Sequence, residues 1–305
     1  MGGITGWKRQ RSAAAARVVR AGMRAAVRAG MRAAVRAVVL TASLAATPGV
    51  LPVRAAPRTS LSECMAGPAR VEVIAGIGPR GEIRLASGVR AVPDSLRWPD
   101  APEAASAAQA WLEAQLGARV TVIPRGQPDR WDRVRADLLI AEGEEDLAGG
   151  LIGAGLAVAD ANEADSLCRP ALRLVEGAAR ARRLGLWRAP LPGAQDGPAL
   201  RAKAGHFVVV EGRIRHIGER GARTYLDFAA RGTDGLTVTV SKRTWRMMRA
   251  RGLSAASLED RRVRVRGLLE VRRGPTLEAA VDGIEVLDEA DRPEAGPDGE
   301  RELRR

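Results

Sequence analysis

Few side chains in this sequence are of types that do chemistry. Its two histidines, His206 and His216, both lie in the second half. A histidine-ligated metal or a histidine-based triad is therefore excluded from residues 69–190. The glycine-rich run 76–81 (GIGPRG) is not followed by a helical pattern and lacks Gly-Lys-Ser/Thr, which argues against a phosphate loop. Carboxylates and arginines remain. The stretch 83–100 (IRLASGVRAVPDSLRWPD) delivers Asp94, Arg97 and Asp100 from a strand and a loop. Hard carboxylate oxygens can hold a divalent cation or accept a proton, and a planar guanidinium can hold a phosphate.

The elements that must position these groups follow from periodicity. Residues 70–75 alternate as a strand, and Ile83 and Leu85 share one face of the next, which turns at Ser87-Gly88. Residues 101–116 predict a helix with Pro102 near its first position and Gly117 as its stop. Strands are expected at 120–123 and 134–140, then helices at 147–156 and 164–184. The second of these should turn Leu167, Ala171, Leu174 or Val175, and Ala178 inward. Strands, a helix, strands and two helices make an α+β, mainly β, barrel with helices packed at one side.

The same order and several local signatures resemble the staphylococcal nuclease (thermonuclease) family over residues 69–188. The segment 94–100 stands where the family has its Gly-Ile-Asp-x-Pro-Glu loop, and 151–157 (LIGAGLA) is similar to its Leu-Val-x-x-Gly-Leu-Ala helix. Residues 129–133 (DRWDR) resemble its Asp-x-Tyr-Gly-Arg turn, and 176–187 its final helix with Gly-Leu-Trp. The resemblance implies an OB-type barrel that hydrolyses nucleic-acid phosphodiesters with calcium. Counting from Ser87-Gly88, the first metal aspartate falls on Gly81, the first phosphate arginine on Val92 and the second metal aspartate on Arg97. The catalytic glutamate falls on Asp100, and the second phosphate arginine is kept as Arg133. An arginine at a cation site opposes the metal by Coulomb repulsion. Asp100 and Arg133 are thus the catalytic candidates, vestigial if the site is impaired, and no metal ligand set is assigned. Taken as structural residues, Asp100 is a helix N-cap, Arg133 pairs with Asp129 or Asp132, and Trp98, Trp111, Trp131 and Trp187 are packing residues.

After a Pro/Gly/Ala-rich linker at 189–204, residues 205–288 predict three strands, a helix at 242–251 with Trp245 and Met248 inward, and two or more strands. That order is a second, small OB-like barrel. Arg213, Arg215, Arg262, Arg264 and Arg266 are expected on its outward face, where they could contact phosphates while Tyr225 or Trp245 stacks on a base. The plainer alternative is a solvated face, because 46 of the 49 basic residues are arginine and any exposed strand would show them. His206 and His216 read as packing residues.

The net charge of +13 is concentrated at the start of the sequence. Residues 1–56 hold ten basic residues and no acid, leaving 39 basic and 36 acidic residues in 57–305. Residues 37–46 form an apolar run too short to span a bilayer, and Val53-Arg54-Ala55 offers a cleavage point after Ala55. A bacterial secretory leader over 1–55 is expected, with export to the periplasm or medium and Met31 as a possible start. The alternative is a basic tail on a cytosolic protein. Residues 56–68 read as an extension and 289–305 as a disordered tail. Cys64 and Cys168 form either a disulfide or two buried thiols.

The expected protein is therefore a binding module for nucleic acid or another polyanion, with an impaired nuclease-like barrel and no cofactor. Two alternatives stay open. One is an active metal-dependent phosphodiesterase, rearranged around Glu82, Asp94, Asp100 and Arg133 and using calcium. The other is an envelope structural or interaction protein.

Overall fold

The computed structural model describes residues 64–140, 145–161, 166–230 and 232–287. The predicted leader, most of the extension and the predicted tail lie outside the described residues.

Five strands close the first barrel. They are β1 (Arg70–Ile77), β2 (Ile83–Leu85), β3 (Arg90–Pro93), β5 (Arg119–Pro124) and β6 (Arg133–Ile140), with β4 (Leu96–Arg97) set apart in a small ladder with β8 (Val158–Ala159). Pairing runs β1–β2–β3–β6–β5 and back to β1, antiparallel throughout except for β3 and β6. A parallel closure needs a crossover, and α1 (Pro102–Glu113) together with β5 supplies it. Alternation decides which side chains fill the barrel: Ile83 and Leu85 of β2 are buried while Arg84 between them points out. Leu112 of α1 and Leu147 and Leu151 of α2 (Leu147–Gly153) complete this core. A short β7 (Glu145–Asp146) adds an edge to β6.

The second sheet has seven strands and repeats the circuit. These are β9 (Phe207–Arg213), β10 (His216–Glu219), β11 (Arg223–Asp227), β12 (Thr237–Ser241), β13 (Arg262–Val271), β14 (Pro275–Glu278) and β15 (Ile284–Val286). β10, β11, β12, β14, β13 and β9 follow one another by pairing, with β12–β14 the parallel pair and β15 flanking β13. Because β9 runs straight into β10 through Ile214 and Arg215, the curled sheet returns on itself as an OB-like half-barrel. Gly212 earns its place by close approach: a Cβ there would lie 2.5 Å from the Cβ of Ala194. Helix α5 (Lys242–Ala250) buries Trp245 and Met248, as its sequence predicts. A one-turn α6 (Ala255–Leu258) follows.

Two segments depart from the sequence reading. Residues 189–204, expected as a linker, contain α4 (Gly197–Arg201) and seat Ala194 and Leu200 in the second core. Helix α3 (Leu172–Ala181) is shorter than expected, and its inward face is only partly the expected one. Leu167 is buried and Val175 packs against the first core as expected, but Ala171, Leu174 and Ala178 are exposed, and Leu172, Glu176 and Ala179 are buried instead. The expectation assumed that only apolar residues turn inward. Here a carboxylate does, because a cation waits opposite it.

That cation is Arg266 of β13. Its Nη1 donates to Glu176 Oε2 at 2.8 Å and to the carbonyl of Ala159 at 3.0 Å. Around this pair Arg264 bonds Glu211 and Glu285, while Asp282 accepts from the Leu167 N–H and from Arg251 and its carbonyl from Arg173. Val158, Ala179, Trp187 and Val209 form an apolar cluster beside it. Burial pushes the Glu176 carboxyl up to about 7 against the pull of Arg173 and Arg180. The first barrel is also fastened covalently by a Cys64–Cys168 disulfide, which resolves the alternative left open by the sequence.

Candidate nucleic-acid interface

The start of the parallel β3–β6 ladder sets one group of charges together. Register places Arg90 beside Arg133. Both guanidinium groups flank Glu82, at 3.9 and 4.0 Å. Arg133 is held more firmly by Asp129, which accepts from its Nε at 2.8 Å and lies 2.7 Å from its Nη2. Burial alone would raise the Asp129 carboxyl, but bonds from the Arg133 guanidinium and from the Arg133 and Trp131 N–H groups hold it below the usual range. The turn these bonds shape, with Asp132 at a φ of 60°, pushes Trp131 outward. The residue is 49% exposed, with the guanidinium carbons of Arg130 and Arg133 at 4.0 and 4.8 Å from the centre of its ring. Arg90 Nη2 donates to the Trp131 carbonyl.

Arg90 is the residue that counting along the sequence missed. The count gave Val92, which shares the outward face of β3, and only the parallel register reveals which position abuts Arg133. Trp131 also departs from its reading as a packing residue. Trp187 is buried, and Trp98 and Trp111 are half-buried.

The structure does not join Asp100 to this group by any hydrogen bond or ion pair among the described residues. Nor is Asp100 a helix cap: the N-cap position of α1 is Ala101, which makes no side-chain bond. Asp100 Oδ2 instead accepts the N–H of Phe207 at 2.8 Å, at the start of the second sheet. Asp94 is 3% exposed, accepts from Ser95 Oγ at 2.8 Å and lies 3.5 Å from Arg135.

The five arginines of the second sheet separate. Arg213 and Arg215 are exposed, with Arg213 donating to the Asp260 carbonyl. Arg262 is half-buried and pairs with Glu211. Arg264 and Arg266 are 4% and 2% exposed, so these two do not lie on an outward, ligand-facing surface as expected. Their strand does point them out of the barrel, but α3 and the carboxylates Glu176, Glu211 and Glu285 cover them. Tyr225 is half-exposed on the outer face of β11, in register with Gly218 and Thr239. Neither histidine is packed: His216 is exposed, and so is His206, whose Nδ1 lies 3.1 Å from the Ala204 carbonyl.

An Arg-flanked ladder start, a parallel β3–β6 closure and a Gly-Leu-Trp turn at Gly185–Trp187 occur together in one barrel. Residues 84–189 match the family model of staphylococcal nuclease homologues. The match begins within β2 and ends just past Trp187, so β1 and the second sheet lie outside it. No curated protein matches the chain.

The nuclease-like barrel can be tested against the calcium that its resemblance implies. The residues present do not fit that ion. A Cβ on Gly81 would lie 2.3 Å from the Trp98 ring, so a metal-binding side chain there would collide with the indole. Arg97 brings a positive charge and lies over the Phe207 ring at 5.0 Å. Glu82 is flanked by two arginines. Among the described residues, no three His, Cys, Asp or Glu side chains converge as a metal site would need. The same residues can instead offer a guanidinium pair and an exposed indole to a phosphate and a base.

Proposed function

We propose that this protein binds nucleic acid, or a polyanion of similar chemistry, and that its nuclease-like barrel has lost metal-dependent hydrolysis. The observation that carries this reading is the exposed Trp131 between Arg130 and Arg133, with Arg90 beside them. An indole stacks on any base, a contact worth about 1–3 kcal/mol, while arginines track the phosphates. The charge pattern supports loss of hydrolysis: a cation needs uncommitted carboxylates, and Glu82 and Asp94 are both engaged by arginines. Arg213, Arg215 and Tyr225 remain as further contacts on the second sheet. The reading includes export, which the arginine-rich leader and the disulfide support.

The test uses the chain from Ala56 onward with labelled single-stranded DNA and RNA over a salt series. The expected result is salt-sensitive binding that Trp131→Ala with Arg130→Ala weakens at least tenfold. No cleavage is expected with calcium, magnesium or manganese relative to EDTA. Metal-dependent cleavage abolished by Arg133→Ala would overturn the loss of hydrolysis. Neither binding nor cleavage would overturn the reading as a whole and leave an interaction protein of the envelope.

A further inference from the structure

A second site lies where the two barrels meet, and none of the Glu82–Arg90–Arg133 group takes part in it. It is a cleft of about 460 Å³, walled by Trp187, Leu191 and Phe207 and bordered by Arg97, Asp100 and Lys203. That volume lies within the usual range for small-ligand sites, which favour domain junctions.

The strand edge that borders the cleft carries an unused pairing position. In an antiparallel ladder, alternate residues direct their N–H and C=O groups to opposite sides. Along β9 the residues that point away from β13 are Phe207, Val209 and Glu211. Phe207 donates its N–H to Asp100 Oδ2, and Glu211 donates to the Pro192 carbonyl and accepts from the Ala194 N–H. Val209, midway between them, lines the cleft, and the described residues supply no hydrogen-bond partner on that side. The strand edge is closed at both ends and open for one residue in the middle.

Charge is arranged to match. The Arg97 guanidinium is half-buried over the Phe207 ring and makes no ion pair or hydrogen bond among the described residues. Lys203 adds a second cation at the rim. The only carboxylate in the lining, Asp100, is occupied by the Phe207 N–H. The cleft thus offers an apolar wall, one strand-like donor and acceptor, and an uncommitted positive charge. These three features complement an apolar residue that carries both an amide and a free carboxylate.

We infer that this cleft binds the carboxylate of an N-acylated apolar amino acid, either as a small molecule or as the C-terminal end of an extended polypeptide. The ligand amide pairs with Val209, its side chain lies on Leu191 and Trp187, and its carboxylate takes Arg97.

Calorimetry on the full chain would use four probes: N-acetyl-leucine, its C-terminal amide, an eight-residue peptide ending in leucine, and the amide of that peptide. The free acids should bind at least tenfold more tightly than the amides. Arg97→Ala should remove that preference, and Ala202→Phe, an exposed position on the cleft wall, should block all four probes while circular dichroism stays unchanged. Tighter binding of the peptide than of N-acetyl-leucine assigns the site to polypeptide ends, and equal binding assigns it to small acids. Equal affinity for acids and amides, or no heat at millimolar probe, overturns the inference. Because Trp131 and Arg130 take no part, this outcome is independent of nucleic-acid binding.

Discussion

The two barrels share a strand circuit and use arginine in opposite ways. In the first, Arg133 and Arg135 alternate along β6 and stay partly open to solvent. In the second, Arg262, Arg264 and Arg266 alternate along β13, yet two of them are sealed against α3 and its neighbours. The strand pattern is the same in both, so what separates a binding surface from an interface is what packs opposite. A buried arginine is tolerated only with a carboxylate to meet it. Glu176, Glu211 and Glu285 meet those of β13, while Arg130 and Trp131 stay exposed.

The sharpest way to break this comparison is to unpair β13. Glu176→Ala should cost about 3–5 kcal/mol of stability, because it leaves Arg266 charged and buried without its partner. Glu176→Leu with Arg266→Leu should recover much of that loss. Chemical denaturation reads both, and a single substitution costing under about 1 kcal/mol would mean that the pair does not lock the interface.

Removing the disulfide by Cys64→Ser with Cys168→Ser should cost about 2–5 kcal/mol, by releasing a long loop in the unfolded chain. Thermal unfolding under oxidising conditions checks it.

Acidity offers a finer probe. Burial holds the Glu176 carboxyl up at about 7 in the folded chain, against its ordinary 4.5 when unfolded. The folded state therefore holds the extra proton between those values. The contribution is fully present below about 4.5 and is lost as pH rises through 7. Relative to Glu176→Gln, the wild-type chain should lose stability over that window and level off above it, as denaturation midpoints at half-unit pH steps will show.

The smallest stability effect belongs to the exposed pair. Arg213→Ala and Arg215→Ala should each stay within about 0.5 kcal/mol of wild type while lowering the salt sensitivity of nucleic-acid binding. Arg264→Ala should do the reverse, with a clear loss of stability.

Much of the architecture could be read from periodicity alone. Ile83 and Leu85 alternate with Arg84, and Trp245 and Met248 sit three apart on a helix, so the inward faces announce themselves. What could not be read was every feature that depends on a partner far along the chain. Glu176 lies off the apolar face that periodicity predicts for its helix, and its partner Arg266 is 90 positions further along the chain. Arg90 and Val92 lie on the same face of β3, and only the parallel register with β6 selects Arg90. Asp100 reads as a helix cap, but its carboxylate reaches a strand more than a hundred residues later. Trp131 differs: its turn is set locally, by N–H groups of Trp131 and Arg133 that donate to Asp129, and only the bond from Arg90 to its carbonyl comes from far along the chain.

The Cys64–Cys168 bridge spans 104 positions and therefore encloses nearly all of the first barrel in one covalent ring. A protease that cuts once inside this ring releases no fragment until the bridge is reduced. A cut between Trp187 and Phe207 falls outside it. The two pieces made there would be held together by noncovalent contacts, among them the Glu176–Arg266 pair with its neighbours and the Asp100–Phe207 hydrogen bond. Cleavage products run with and without reductant would thus map where the chain was opened, and their co-migration on a sizing column would measure the interface alone.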